Sequence, residues 1–271
     1  MSDGELLEAM INAALDAGRA VQEIYRRDSW RALEVRTKAD SSPVTLADRT
    51  AEGIVLEHLA RCAAGTPVIA EEEVAAGRVP AVGEEFFLVD PLDGTKEFIA
   101  RRGEFTVNIA LVRRGAPVLG VVYAPPLGRL YAGNVTSPGA FRSTLDLEEP
   151  RVAARESIHV RAVPAGGITA VASRSHSSAE TEAYLARYRV AERISIGSSL
   201  KFCLIAEGHA DLYPRLGTTM EWDTAAGHAV LLGAGGSVTC ATGGALGYGK
   251  PQFRNPWFIA SGALAPQPIE G

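Results

Sequence analysis

One stretch limits the fold more than any other: the apolar run Phe86-Phe87-Leu88-Val89 leads straight into Asp90-Pro91-Leu92-Asp93-Gly94-Thr95. Aromatic and β-branched residues of this kind suit a buried strand, and Pro91 cannot donate to a ladder, so the strand is expected to end at Asp90. Asp90 and Asp93 then share one tight turn. Two carboxylates this close repel unless a cation lies between them, and hard oxygen ligands suit Mg²⁺ or Mn²⁺. Irregular backbone at Pro91-Leu92 can also turn a carbonyl inward. Gly94-Thr95 would open the next helix, whose first N–H groups are unpaired and favour an anion, so a phosphate is expected beside the metals. Taken alone, Asp-Gly-Thr is more often a turn with an N-cap than a ligand set, so further acids are needed. Glu71-Glu72-Glu73 follows Pro67-Val68-Ile69-Ala70, and Trp222-Asp223 precedes the apolar stretch from Thr224 to Leu232. Three junctions of apolar chain with acid are therefore candidates for one site.

The rest of the chain reads as a large globular frame around that site. Residues 4 to 27 place Leu7, Met10, Ile11, Ala14, Gly18, Val21 and Tyr25 on one helical face, with Ser2 and Glu5 spaced as a capping box. Thr37 to Pro43 is polar and turn-rich, and Val44-Thr45-Leu46-Ala47-Asp48 leads into a second helix through about Ala64. Asp48 could serve only as a first-turn acid against the helix dipole. Ala75 to Gly83 is a Gly- and Pro-containing connector over the site. Phe105 to Val112, Pro117 to Tyr123, Arg129 to Ala132 and Gly139 to Arg142 read as sequential short strands, hence an antiparallel meander. After a polar junction near 143–165 the pattern changes to alternating strands and helices: Ile168–Ala172, Ser178–Tyr188, Arg193–Ile196, Ser199–Glu207, Ala210–Tyr213 and Thr224–Leu232. This predicts an α+β metal-binding half over 1–160 and an α/β half over 161–271 that completes the site.

Composition excludes several function classes. The 271 residues are 46% hydrophobic, enough for a substantial core, and the net charge of -5 argues against a nucleic-acid partner. Cys62, Cys203 and Cys240 are odd in number and far apart, which suits neither a disulfide framework nor a zinc cluster and points to a reducing compartment. The N-terminal residues lack the features of a signal peptide, and no apolar run approaches the roughly 20 residues needed to span a bilayer. Gly244 to Lys250 satisfies most of a phosphate-loop pattern, but Pro251 stands where Ser or Thr would be needed. Cys203 reads as a small buried hydrophobe rather than a nucleophile. His176, after a predicted strand, is either a phosphate contact or a solvated turn residue.

Glu71-Glu72, Asp90-Pro-Leu-Asp-Gly-Thr95 and Trp222-Asp-Thr-Ala-Ala-Gly227, in this order, resemble the signatures of the inositol monophosphatase superfamily of Mg²⁺-dependent, lithium-sensitive phosphatases. Within it, Asp93 to Phe98, Gly103 to Asn108 and Gly197 to Cys203 are similar to the bacterial CysQ-type branch, the 3'(2'),5'-bisphosphate nucleotidases. The resemblance implies a layered α-β-α-β-α sandwich, α+β with α/β, of the inositol monophosphatase and fructose-1,6-bisphosphatase type. It implies two or three Mg²⁺, with Mn²⁺ as a substitute, held by Glu71, Asp90 and the Leu92 carbonyl and by Asp90, Asp93 and Asp223. Glu71, Thr95 and Asp48 become the catalytic residues, with Asp48 pairing to Thr95 to orient the attacking water, and Lys38 a loop lysine near the metals. Leu92, Asp93, Gly94, Thr95, Lys96, Arg174, Lys201 and Asp223 become the substrate contacts, and Arg215 a further candidate for the second phosphate of a nucleoside bisphosphate. Thr218-Thr219 departs from the Pro-Thr common in that branch. The expected activity is hydrolysis of 3'-phosphoadenosine 5'-phosphate to AMP in sulfate assimilation, with an inositol or sugar phosphatase as the alternative. The expected partner is a small phosphate ester, with no nucleic acid, no membrane span and room for a homodimer. The expected compartment is the cytoplasm, free or on the cytoplasmic face of the inner membrane.

Overall fold

The first helix, α1 (Asp3–Tyr25), starts where the capping box predicts: Ser2 accepts from the Glu5 N–H while the Glu5 carboxylate takes the Ser2 N–H at 2.7 Å. The computed structural model describes residues 1–26, 36–37, 43–137, 139–147, 152, 154–173 and 178–269. A two-residue ribbon, β1 (Arg36–Thr37) with β2 (Pro43–Val44), precedes α2 (Leu46–Cys62). The seven-stranded first sheet runs in the order β3 (Val68–Ala70), β4 (Glu85–Asp93), β5 (Thr106–Arg113), β6 (Ala116–Ala124), β7 (Arg129–Asn134), β8 (Gly139–Thr144), β9 (Glu156–Ile158). Only β3 pairs parallel, against β4, and every later neighbour is antiparallel, as the short turns require. One-turn helices α3 (Glu71–Ala75) and α4 (Thr95–Ile99) follow β3 and β4.

The second sheet has the order β11-β10-β12-β14-β13, built from β10 (Ile168–Ser173), β11 (Val190–Ile196), β12 (Leu212–Arg215), β13 (Ser237–Cys240) and β14 (Phe258–Ser261). The α/β alternation accounts for the parallel strands β10, β11 and β12, connected through α5 (Ala179–Leu185) and α6 (Leu200–Ala206). The chain then turns back after α7 (Ala225–Gly233), and β13 and β14 close the sheet antiparallel.

The layers follow from which faces are apolar. In β4, Phe87 and Val89 enter the core under α1 and α2, while Phe86 and Leu88 enter the core shared with α6 and α7. A strand buried on both faces carries a continuous apolar run, which is why Phe86–Val89 shows no polar alternation. Helix α7 lies on β5, β6 and β7, and it comes so near that a Cβ on Gly120 would stand 2.4 Å from the Ala226 carbonyl oxygen. Any side chain there would push the helix off the sheet. With α5 outside β12, the order is the α-β-α-β-α sandwich implied by the resemblance. Among the described residues no helix is long and apolar enough to cross a membrane.

Candidate active site

The strand ending in the acidic motif does not stop at Asp90. Strand β4 continues through Pro91 to Asp93, with Asp90 opposite Asn108 and Asp93 opposite Thr106. Pro91 and Leu92 therefore face Val107 alone, a one-residue bulge that absorbs the missing proline N–H. The expected turn is this bulge, and its consequence is chemical. In a regular strand residues three apart point to opposite faces; the extra residue returns Asp93 to the side of Asp90. The Asp90 carboxylate also takes the Leu92 N–H at 3.0 Å, which pins the bulge from inside.

One cleft is lined by Glu71, Asp90, Leu92, Asp93, Thr95 and Asp223, so the three acidic junctions do converge. Glu71 starts α3 and Asp223 ends a 3₁₀ turn over Glu221–Asp223 that leads into α7. Asp90 is buried, and its carboxyl is held well above its ordinary pKa by that burial and by the neighbouring charges of Glu71, Asp93 and Asp223. Burial, then Asp93 and Glu71, raise Asp223 in the same way. Asp93 is raised by burial as well, although Lys201 opposes the shift. Among the described residues no three acids, histidines or cysteines are gathered tightly enough to cage an ion unaided. Mg²⁺ seldom uses such a cage; it keeps waters and binds through one or two carboxylates plus a substrate phosphate. Hard oxygen donors that repel one another across an open cleft fit that ion.

The raised carboxyls predict a pH dependence. A carboxyl that holds its proton more tightly folded than unfolded lowers stability as pH rises from the ordinary 3.8 through its folded value. Mg²⁺ binds the ionised form, so its stabilising effect should grow as pH rises from the ordinary carboxylate range through the folded values of these carboxyls. At a hundredfold excess over Kd the gain is about 2.7 kcal/mol, or about 5–10 °C in Tm at this size. Scanning calorimetry with and without Mg²⁺ over a pH series checks this; a shift that is the same at every pH would mean that these carboxyls do not hold the cation.

Asp48 is more than a first-turn acid. Its Oδ2 accepts the Thr45 N–H at 2.7 Å and the Thr45 hydroxyl at 2.6 Å, and its Oδ1 lies 3.1 Å from the Thr95 hydroxyl. The Asp48–Thr95 pair implied by the resemblance is therefore formed, and Asp48 is buried. Thr95 is held from both ends of α4. Gly94 sits at φ 98°, and a Cβ there would lie 2.9 Å from the Glu104 carbonyl oxygen, so glycine is needed for conformation and for space. Phe98 packs against Tyr25 and Phe105 with ring centroids 5.2 and 5.1 Å apart, which ties Lys96-Glu97-Phe98 and Gly103-Glu104-Phe105 to α1.

The cations deep in the cleft come from α6 and from β12 of the second sheet. Lys201, Tyr213, Arg215, Thr218 and Thr219 line the cleft, with Lys96 exposed at the rim. Lys201 is buried, its ammonium bonds the Ser198 carbonyl, and burial brings its pKa down to about 8 while Asp93 resists. Arg215 donates from Nη2 to the Thr218 carbonyl at 3.1 Å, and its buried Nε–H has no partner among the described residues. Lys38, Arg174 and His176 lie outside the described residues.

Sequence reasoning passed over Asn108 and Ser199. Asn108 is fully buried in the middle of Val107-Asn108-Ile109-Ala110-Leu111 and reaches toward Asp93. A polar residue inside an apolar strand was the available signal. In the glycine-rich segment 244–250 the Gly249 and Lys250 N–H groups are taken by the buried Glu221 at 2.7 and 2.9 Å, a contact that anchors the turn carrying Asp223. Cys203 is buried with its thiol well above the ordinary pKa, and His228, in contact with the Tyr248 hydroxyl at 2.9 Å, is lowered to about 3 by burial and stays neutral.

Comparisons with known proteins agree with this geometry. The chain is 45% identical over 257 residues to the 3'(2'),5'-bisphosphate nucleotidase CysQ of Shigella flexneri, covering 94% of this chain and 99% of that protein. Its Salmonella typhimurium counterpart is 46% identical over 254 residues, covering 93% and 98%. The crystal structure of CysQ from Bacteroides thetaiotaomicron, a bacterial member of the inositol monophosphatase family, superposes with a TM-score of 0.79 at 39% identity over 96% of this chain and 98% of that one. An inositol monophosphatase from Anabaena superposes at 0.72 with 26% identity, over 95% and 90%. The family model of the inositol monophosphatase family matches residues 3–267, and with these relatives the chain belongs to that family.

Proposed function

We infer that this chain is a Mg²⁺-dependent 3'(2'),5'-bisphosphate nucleotidase that hydrolyses 3'-phosphoadenosine 5'-phosphate to AMP and phosphate in the cytoplasm, as part of sulfate assimilation. The observation that carries the nucleotide over an inositol ester is the presence of cations in the cleft beside the acids. Lys201 and Arg215 line it together with Glu71, Asp90, Asp93 and Asp223, and their charges act on Asp93 and Asp223. A substrate with a single phosphate needs only the acids and their metals. A bisphosphate has a second dianion that calls for ammonium and guanidinium donors outside them. The buried Arg215 Nε–H is a desolvated donor, and an anion in the cleft would satisfy it.

Glu71, Asp90, the Leu92 carbonyl, Asp93 and Asp223 would hold two or three Mg²⁺, with Mn²⁺ as a substitute. When bound, the metal supplies a Lewis acid for the leaving oxygen and a lowered pKa for water. The chain's own contribution is orientation. The Thr95 hydroxyl lies 3.1 Å from Asp48 Oδ1 and 3.2 Å from the Leu92 carbonyl, both of which only accept, so its proton is spent on one of them. The Thr95 lone pairs are then left to accept a hydrogen bond from the attacking water and aim its oxygen at phosphorus. The phosphorus–oxygen bond to the ribose breaks as the water oxygen adds; the water gives up a proton to solvent, the departing ribose oxygen takes one up, and no side chain is phosphorylated.

Phosphate release from 3'-phosphoadenosine 5'-phosphate and from inositol 1-phosphate, with Mg²⁺ and with chelator, tests the reading. The nucleotide should be the faster substrate, and chelator should abolish its turnover. Lys201→Ala should cost the nucleotide about 10–100-fold in kcat/KM, the value of a charge-assisted bond, and cost the inositol ester less, a loss that reflects only the action of Lys201 on Asp93. Preference for the inositol ester would keep the metal end and overturn the substrate.

A further inference from the structure

Asp93 and Asp223, which reach the cleft from different layers, are tied together by side chains that do not line it. Asn108 stands in the middle of β5 opposite Asp90, and Ser199 immediately precedes α6 in the layer between the sheets. The Asn108 amide nitrogen lies 3.0 Å from the Ser199 hydroxyl and 3.4 Å from Asp93 Oδ2. The Ser199 hydroxyl donates to the Asp223 carbonyl at 2.8 Å, and the Ser199 backbone N–H bonds the Asp93 carboxylate. Both Asn108 and Ser199 are essentially inaccessible to water.

The direction of every bond in this ring is forced. The Asp93 carboxylate and the Asp223 carbonyl can only accept, so Ser199 must spend its proton on Asp223 and can only accept from Asn108. Asn108 must therefore present its two N–H bonds, one to each neighbour. Turning the amide over would set its carbonyl against a carboxylate. Its carbonyl oxygen is left buried with no partner among the described residues, a cost this position carries. An apolar residue would avoid that cost, as Val107 and Ile109 do on either side.

We propose that Asn108 and Ser199 are positioning residues that set the spacing of Asp93 and Asp223 and thereby the affinity of the site for its divalent cation. The proposal rests on the metal-site reading above and extends it to residues outside the ligand set. Supporting contacts of this kind are worth about 10–100-fold in metal affinity.

The test is calorimetric titration of Mg²⁺ and Mn²⁺ into wild type, Asn108→Ala, Ser199→Ala and the double variant. It is paired with the Mg²⁺ dependence of nucleotide hydrolysis and the metal-free Tm. Each single variant should weaken Mg²⁺ binding about tenfold or more and shift the Mg²⁺ half-saturation of activity equally. KM for the nucleotide at saturating Mg²⁺ should stay within about twofold of wild type. Because the two residues act through one ring, the double variant should bind no more weakly than the weaker single. Ser199→Ala removes one hydroxyl and serves as the measure if Asn108→Ala fails to fold. Variants that bind Mg²⁺ as wild type does, or losses that simply add, would overturn the relay and leave the metal site standing. A wild type that binds neither ion would overturn both.

Discussion

Asp93→Asn should lower kcat/KM for the nucleotide by about a thousandfold or more, the value of several kcal/mol of transition-state charge stabilisation. The substitution preserves volume, so the bulge and the packing of β4 need not move. What changes is charge: an amide N–H₂ replaces an anionic ligand and points a donor toward the cation. The same variant should be at least as stable as wild type when metal-free at about pH 8. The reason is that burial and Glu71 already make ionised Asp93 unfavourable in the fold, against the pull of Lys201. Loss of function with retained or raised Tm is the pattern of a residue kept for chemistry at the expense of stability. Phosphate release and scanning calorimetry on one preparation read both effects. More than a tenth of wild-type turnover in the variant would remove Asp93 from the ligand set.

Asp48→Asn should cost about 10²–10⁴ in kcat, with the nucleotide KM little changed. The mechanism is one of direction rather than charge. The Thr45 N–H and hydroxyl at 2.7 and 2.6 Å hold the present Oδ2, so an amide side chain in its place would keep its carbonyl oxygen toward Thr45 and turn its N–H₂ toward Thr95. The Thr95 oxygen would then accept from that amide instead of donating to Asp48, and its proton would turn to the Leu92 carbonyl at 3.2 Å, so a lone pair meant for the water is spent. A wrong hydrogen-bond direction of this kind is costly even where geometry survives. Thr95→Val should give a similar loss, and the double variant should be no worse than either alone, because both act on one water. Single-turnover rates decide the matter. A double variant with multiplied losses would separate the roles of the two residues.

Much of this site is legible in the amino-acid order. Apolar runs break into acid three times, at Ala70-Glu71, Val89-Asp90 and Trp222-Asp223, and each break does mark a chain segment arriving at the cleft. The capping box at Ser2 and the polar start at Thr45 place both long helices to within about two residues, because caps are local chemistry. The continuous run Phe86–Val89 likewise announces a strand buried on both faces.

Other features depend on partners far along the chain, and no local pattern contains them. Strands β13 and β14 and the short β9 escape a sequence reading because their pairing, not their composition, makes them strands. Pro91 argues for a strand end, yet pairing of Asp93 with Thr106 beyond the bulge outweighs one missing N–H. The ring of Asn108, Ser199, Asp93 and Asp223 joins Asn108 to Ser199, 91 positions away, and Ser199 to the still more distant Asp93. What the amino-acid order determined is the supply of groups: where helices start, which strands are buried, and which carboxylates and cations exist. The tertiary structure decided which of them meet and in what orientation. That outcome depends on strand register, on one extra residue in a bulge, and on the close approach of α7 to a glycine in β6. Each of these is a property of packed neighbours rather than of adjacent residues.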